Sequence, residues 1–311
     1  ATSNVMPSYN LSFNTNVTGL TASDLSNAGT ATGCAFTVTS VTGSSYTISI
    51  TGCTVGTVQP RLAAGSITDL YGNTNAVSTA TAVTIDLVAP SVTSITPSST
   101  LTNATSITYA VVFSESVTGL TTSDFLSGNG TVASVTGSGT SYTVTVNSMS
   151  AGSQVLSLLS NSVTDSASNT GPATPFTSAT TTIDRTAPTV VSWAAERLFS
   201  NNGVFRWNVE FSEPIVNIAG GSAATYFNWT TGNCTAFSGI TQNSPTSYSV
   251  AWTGCSVQVD VNLRANVVTD LAGNVGPATA TSTIIVRSDT TRPTASWGAA
   301  PSSPAISDPV Y

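Results

Sequence analysis

Apolar residues along this chain fall at every second position in short runs, the period of a strand with one buried and one wet face. Tyr9, Leu11 and Phe13 make one such run, Ile107, Tyr109, Val111 and Phe113 a second, and Phe205, Trp207, Val209 and Phe211 a third. Each is followed by a partner in the same register: Tyr46, Ile48 and Ile50; Tyr142, Val144 and Val146; Tyr248, Val250 and Trp252. A shorter run comes later, at Pro60 and Leu62, at Leu156 and Leu158, and at Val261 and Leu263. Short alternating runs bounded by turn residues every 8 to 12 positions or so predict antiparallel strands. No segment carries a convincing helical period.

The runs recur because the chain repeats. Ile67-Thr68-Asp69-Leu70-Tyr71-Gly72-Asn73, Val163-Thr164-Asp165-Ser166-Ala167-Ser168-Asn169 and Val268-Thr269-Asp270-Leu271-Ala272-Gly273-Asn274 are versions of one turn. Each leads to a linker ending in proline: Asp86 to Pro90, Asp184 to Pro188, Asp289 to Pro293. About 100 residues of short strands per unit is the size of an antiparallel β-sandwich. The expected fold is therefore all-β, with three tandem antiparallel β-sandwiches over residues 1–89, 90–187 and 188–292, which the resemblance below makes Ig-like, and an extension over 293–311.

Phe113-Ser114-Glu115-Ser116-Val117-Thr118-Gly119-Leu120-Thr121-Thr122-Ser123-Asp124-Phe125, its sibling from Phe13 to Leu25, the Thr-Asp-x-x-Gly-Asn turn and the Asp-x-Thr-Ala-Pro linker resemble the bacterial immunoglobulin-like repeats strung in tandem in surface adhesins and extracellular fibres. The resemblance spans nearly all of the chain. It implies the fold, and a role as spacer, adhesive module or fibre segment. The third unit departs after Phe211-Ser212-Glu213-Pro214, so its next loop is expected to differ.

The two ends of the repeat pattern differ from its middle. In the second and third units the stretch between linker proline and strand phenylalanine (Pro90 to Phe113, Pro188 to Phe211) carries an opening strand, Val92 to Ile95 and Val190 to Trp193; the first unit shows none before Phe13. Conversely Pro293-Thr294-Ala295-Ser296-Trp297-Gly298-Ala299-Ala300 reads like Pro188-Thr189-Val190-Val191-Ser192-Trp193-Ala194-Ala195. A sandwich without its opening strand offers an unpaired edge and an open core. The expectation is an extracellular filament whose copies join head to tail, Pro293, Ala295, Trp297 and Ala299 of one meeting Tyr9, Leu11 and Phe13 of the next. The other reading is a stalk or ligand-binding segment of a large surface adhesin, cut from a longer chain. An exported form would already have lost its leader.

Composition narrows the chemistry. Only 7% of the 311 residues are charged, the net charge is −7, and 102 residues are Ser or Thr, so hydroxyls solvate this surface. The negative balance opposes nucleic acid and anionic membranes, and no run of about 18 apolar residues exists for membrane insertion. There is no His and no Lys, which removes imidazole bases and Schiff-base lysines. An enzyme is not expected; nor is a cofactor. All five Trp lie in the third unit and tail, and Trp229 is either packing or a sugar-stacking platform. The partner expected is the chain itself; any host or cell-surface ligand is left unnamed.

Four Cys form two same-unit pairs. Counting outward from the Thr42-Gly43-Ser44-Ser45 turn sets Cys34 across from Cys53, and a turn from Gln242 to Ser247 sets Cys234 across from Cys255. Cross-strand disulfides are the consequence, and with them an oxidising, extracellular compartment. Met149 stands where the second unit would have its cysteine. The repeating carboxylates, Asp69, Asp165 and Asp270 in the turns and Asp86, Asp184 and Asp289 in the linkers, either cap their own backbone or hold calcium at the junctions.

Overall fold

A computed structural model describes residues 2–3, 5–216, 218, 221–230 and 234–299. Half-buried alternating runs become strands because each can pair along its edges while turning one face inward. Three separate cores result. The first gathers Val17, Leu25, Tyr46, Ile48, Ile50, Val58, Leu62 and Ile85; the second is centred on Tyr109, Val111, Phe113, Val144, Leu156 and Leu158; the third on Phe205, Trp207, Phe211, Phe227, Val250 and Trp252. The first two sandwiches belong to one compact unit, which ends at Asp184, and the third belongs to another, which begins at Arg185.

Each sandwich has two layers of strands, the second layer being one four-stranded sheet in the third sandwich and two three-stranded sheets in the first and second. In the second, Val92–Pro97, Ile107–Val117 and Thr131–Asn147 form one sheet in that order. In the third, Val190–Ala195, Phe205–Phe211, Ser247–Thr253 and Ala236–Gln242 do the same. In the first, Ser8–Ser12, Ser45–Thr51 and Ala35–Thr42 are present and the strand that should flank Ser8–Ser12 is not, among the described residues. The facing layer is complete to the same short parallel strand in all three: Thr2–Ser3 on Val83–Ile85, Leu101–Thr102 on Thr181–Ile183, Phe199–Ser200 on Ile284–Ser288.

The repeated motifs have physical jobs. In all three sandwiches the strand phenylalanine meets the hairpin tyrosine edge to face, with ring centroids 6.0, 5.9 and 6.2 Å apart. That tyrosine hydroxyl then donates across the mouth of the sandwich: Tyr46 to the Val17 carbonyl, Tyr142 to Val117, Tyr248 to Ile215. The Thr-x-Ser-Asp segment is a capping box on a single 3-10 turn, with Asp24 and Asp124 accepting from the Thr21 and Thr121 amides at 2.8 and 2.7 Å. The divergent loop of the third unit instead forms a one-turn helix, Ala223–Tyr226. These short turns, too brief to show a period, are the helical elements that alternation does not reveal.

Both disulfides are present, with Cα atoms 4.2 and 3.9 Å apart. The register reaching Cys34 and Cys53 differs from simple counting by one: Val41 is bulged, Ser40 faces Tyr46, and Ala35 faces Thr51. In the third sandwich a bulge between Phe237 and Gly239 brings the pairing back to Ala236 opposite Thr253, two residues from the disulfide on each strand. In the second sandwich Met149 is buried where the half-cystine would be and its side chain lies over Gly130, which has a positive φ of 88°. The Cys34–Cys53 bridge closes a span of 19 residues. Replacing both with Ser should therefore cost the first sandwich about 3 kcal/mol, measured by urea unfolding monitored at that sandwich; the second sandwich, which has no bridge, should keep its midpoint.

Candidate functional site

The open edge is the most unusual feature of the fold. Ser8–Ser12 pairs with Ser45–Thr51 on one side only among the described residues. Its counterparts, Ile107–Val117 and Phe205–Phe211, are flanked on both sides. The difference shows in burial. Tyr109, Val111 and Phe113 are 0, 0 and 3% exposed and Trp207, Val209 and Phe211 are 0, 1 and 2%, whereas Tyr9, Leu11 and Phe13 are only half-buried. Tyr9 keeps a hydrogen bond to the Val58 carbonyl at 3.2 Å, and burial of its ring holds the phenol pKa up.

A cleft of about 160 Å³ opens beside this strand, lined by Tyr9, Leu11, Leu25, Ile48, Pro60 and Leu62. That is the order of size of an apolar cavity that takes up benzene. The backbone beside it is unspent. The Phe13 amide donates inward to Ser44 at 2.8 Å, so the amides of Ser12 and Asn10, one and three residues back, point outward.

Of the tail residues expected to meet this edge, Pro293 to Ala299 form no strand within one copy, and Trp297 is 97% exposed. Residues 300–311 lie outside the described part. Two linker prolines, by contrast, are docked. Pro90 lies against Gly171 and Pro188 against Gly276, so closely that a side chain on either glycine would overlap the proline carbonyl. In the first sandwich the matching position is Asn75, whose amide ties Ser66, Ile67, Ala63 and Ala76 together.

The carboxylates divide into two kinds. Asp69, Asp165 and Asp270 each wrap their own turn: Oδ1 accepts two backbone amides and Oδ2 the Asn two residues past the turn's middle, all at 2.7 to 2.9 Å. Burial alone would raise Asp165, but the Asn169 side chain and the turn amides outweigh it and hold the carboxyl low. Asp69 is held low chiefly by the Asn73 side chain. Of the linker residues, Asp86 and Asp289 bond the amides of Val88 and Thr291 at 3.0 Å, and Asp289 is exposed. Asp184 closes the first unit, its amide donating to Thr102.

At the junction of the first two sandwiches, Asp86 and Asp165 meet a third carboxylate that lies outside the turn and linker motifs, Glu115. One oxygen from each lies within 4.8 Å of the others. The signal was available: Glu recurs at 213 after the next strand phenylalanine, with Asp184 29 residues before it as Asp86 is before Glu115. Three hard oxygens are the chemistry of Ca²⁺ or Mg²⁺, short of the 6 to 8 or so that Ca²⁺ takes. Burial first, then repulsion from Asp165 and Asp86, raises the Glu115 pKa.

Trp207 and Trp252 are core residues, as their register implies. Trp229 is half-buried with its ring 6.2 Å from Trp252, packed against the third core, and it also lines a surface cleft with Phe227, Asn228 and Arg264. No helix among the described residues is long and apolar enough to cross a membrane.

The fold is all-β and Ig-like, built largely from antiparallel sheets. Residues 86–182, essentially the second sandwich with its linker, match the bacterial Ig-like domain family. No curated protein matches the chain in sequence. Among solved structures it is similar to the Escherichia coli adhesin FdeC at 16% identity, over 92% of this chain and 88% of that one, with a TM-score of 0.37. The I9–I11 tandem of titin covers 92% of this chain and 93% of its own at 7% identity and a TM-score of 0.32. Invasin, a bacterial integrin-binding protein, covers 84% and 57% at 13% identity and 0.30.

The folded Glu115 carboxyl holds its proton more tightly than the unfolded one, whose ordinary value is 4.5. Its contribution to stability is therefore present below that value and is lost as pH rises through the folded pKa. Glu115→Gln should melt above the parent at pH 7, by a few degrees at most, and the difference should vanish in acid. A thermal melt series across pH checks this.

Proposed function

We propose that the chain is a structural segment of an extracellular filament, in which the stretch after Pro293 of one copy covers the open edge of the first sandwich of the next. The observation that carries this reading is the half-buried stripe of Tyr9, Leu11 and Phe13 beside an unpaired strand, at positions that the other two sandwiches bury completely. Head-to-tail contacts of this kind propagate without closing into a ring when the rotation does not return. Two disulfides support an oxidising compartment, and the repeat architecture supports a load-bearing role. The docked Pro90 on Gly171 favours a second reading, a stiff monomeric stalk or ligand-binding section of a surface adhesin.

Magnitudes set how the filament reading is tested. Burying two or three apolar side chains at about 1.5 to 3 kcal/mol each, with several ladder bonds at about 0.5 to 1.5 each, gives roughly 5 to 12 kcal/mol. Association costs of about 4 kcal/mol or more leave at best about 8, a Kd near 1 μM. Sedimentation velocity and electron microscopy from about 1 to several hundred μM should show polymers of the intact chain. They should show monomers for a chain lacking 293–311, whose described residues join none of the three cores. An intact chain that stays monomeric throughout leaves only the stalk.

A further inference from the structure

We propose that the added strand enters in one register only, with Ala295 opposite Phe13, Trp297 opposite Leu11 and Ala299 opposite Tyr9, and that the Trp297 indole seats over Leu25. This inference rests on the head-to-tail reading and adds to it a seat and an alignment. The third sandwich supplies the template. There Val190 faces Phe211, Trp193 faces Val209 and Ala195 faces Trp207. The Trp193 ring stacks on Phe227 at 6.0 Å and 21°. Phe227 pairs with Leu263 as Leu25 pairs with Leu62, so Leu25 is the floor of the equivalent seat in the first sandwich, and it lines the open cleft.

Direct counting breaks the match. Trp193 lies five residues after Pro188, Ile95 five after Pro90, but Trp297 only four after Pro293. A one-residue slip would turn the indole out to solvent. A bulge restores the alignment: the pairing of both native opening strands skips one residue, Thr93 or Val191, and both are exposed. The tail lacks that residue. Without it, Ala295, Trp297 and Ala299 fall on the inward face in phase with Val190, Trp193 and Ala195, while Ser296 and Gly298 face out.

The linker proline is a separate matter. Asn75 occupies the position that Gly171 and Gly276 leave clear for Pro90 and Pro188, so Pro293 remains outside the first sandwich and the added strand begins at Ala295. Of the four tail contacts expected from sequence, three are thus kept and the Pro293 contact is withdrawn.

Cysteine pairs on the outward face test the register without touching the core. Directly opposed residues of an antiparallel pair have Cα atoms about 5.5 Å apart, within disulfide range. A chain carrying Asn10→Cys with Gly298→Cys should give an oxidised ladder on non-reducing gels, at least tenfold more than Asn10→Cys with Ser296→Cys, which is offset by two. If the parent polymerises but the offset pair links as well or better, the register is wrong and the head-to-tail reading stands. If the parent never polymerises, both fall. Tryptophan emission gives a thiol-free check. On concentrating the parent its emission should move to shorter wavelength, and the Trp297→Phe variant should show no such move; identical behaviour of the two overturns the seat.

Discussion

A strand with an apolar face and two polar edges has to be covered on the first and paired along the second, and this requirement organises the whole chain. In the second and third sandwiches a strand arriving directly from the linker satisfies it. Val92–Pro97 and Val190–Ala195 cover the Phe113 and Phe211 strands, and the stripes beneath them are nearly inaccessible to water. The first sandwich has every other part, down to the short parallel strand Thr2–Ser3, and among the described residues leaves this requirement unmet. The cleft beside Leu25 and the outward amides of Asn10 and Ser12 are two faces of that single unmet requirement.

The interior of such small sandwiches is hydrophobic, but their shape is fixed by a set of short-range polar devices suited to a surface poor in charge. Tyrosine hydroxyls pin the hairpin to the neighbouring loop, Asx turns close the Thr-Asp segments, and capping boxes turn the chain at Thr21 and Thr121. Each uses a hydroxyl, amide or carboxylate satisfied locally, and the ion pair of Arg206 with Glu196, at 3.7 Å, is half-exposed. Disulfides add stability to the first and third sandwiches, and the second manages with Met149 packed over Gly130. Two of these locally bonded carboxylates, Asp86 and Asp165, also lie beside Glu115, so that like charges are held together at a junction.

Alternation and repetition made most of this legible in the sequence. The cores, the pairing partners and both disulfides derive from residues spaced two apart and from the three copies of one motif. Bulges were not legible: Val41, Thr93 and Val191 each add a residue that changes facing partners without leaving a compositional mark. Glu115 was legible only as a recurrence, with Glu213 at the same spacing; that it lies beside Asp165 depends on a turn 50 residues away folding next to the linker. The unpaired edge of Ser8–Ser12 among the described residues was readable because strands can be counted, whereas Asn75 standing where the other sandwiches have Gly171 and Gly276 gains its meaning only from the folded turn.

Amide hydrogen exchange across Ser8–Phe13 in the intact chain reads the central claim most directly. The outward amides of Asn10 and Ser12 should exchange freely in dilute solution and become strongly protected on concentrating, while those of Tyr109 and Trp207 stay protected throughout. Exchange at Asn10 and Ser12 that is already slow in the monomer, or that stays fast however concentrated the protein becomes, would contradict the account.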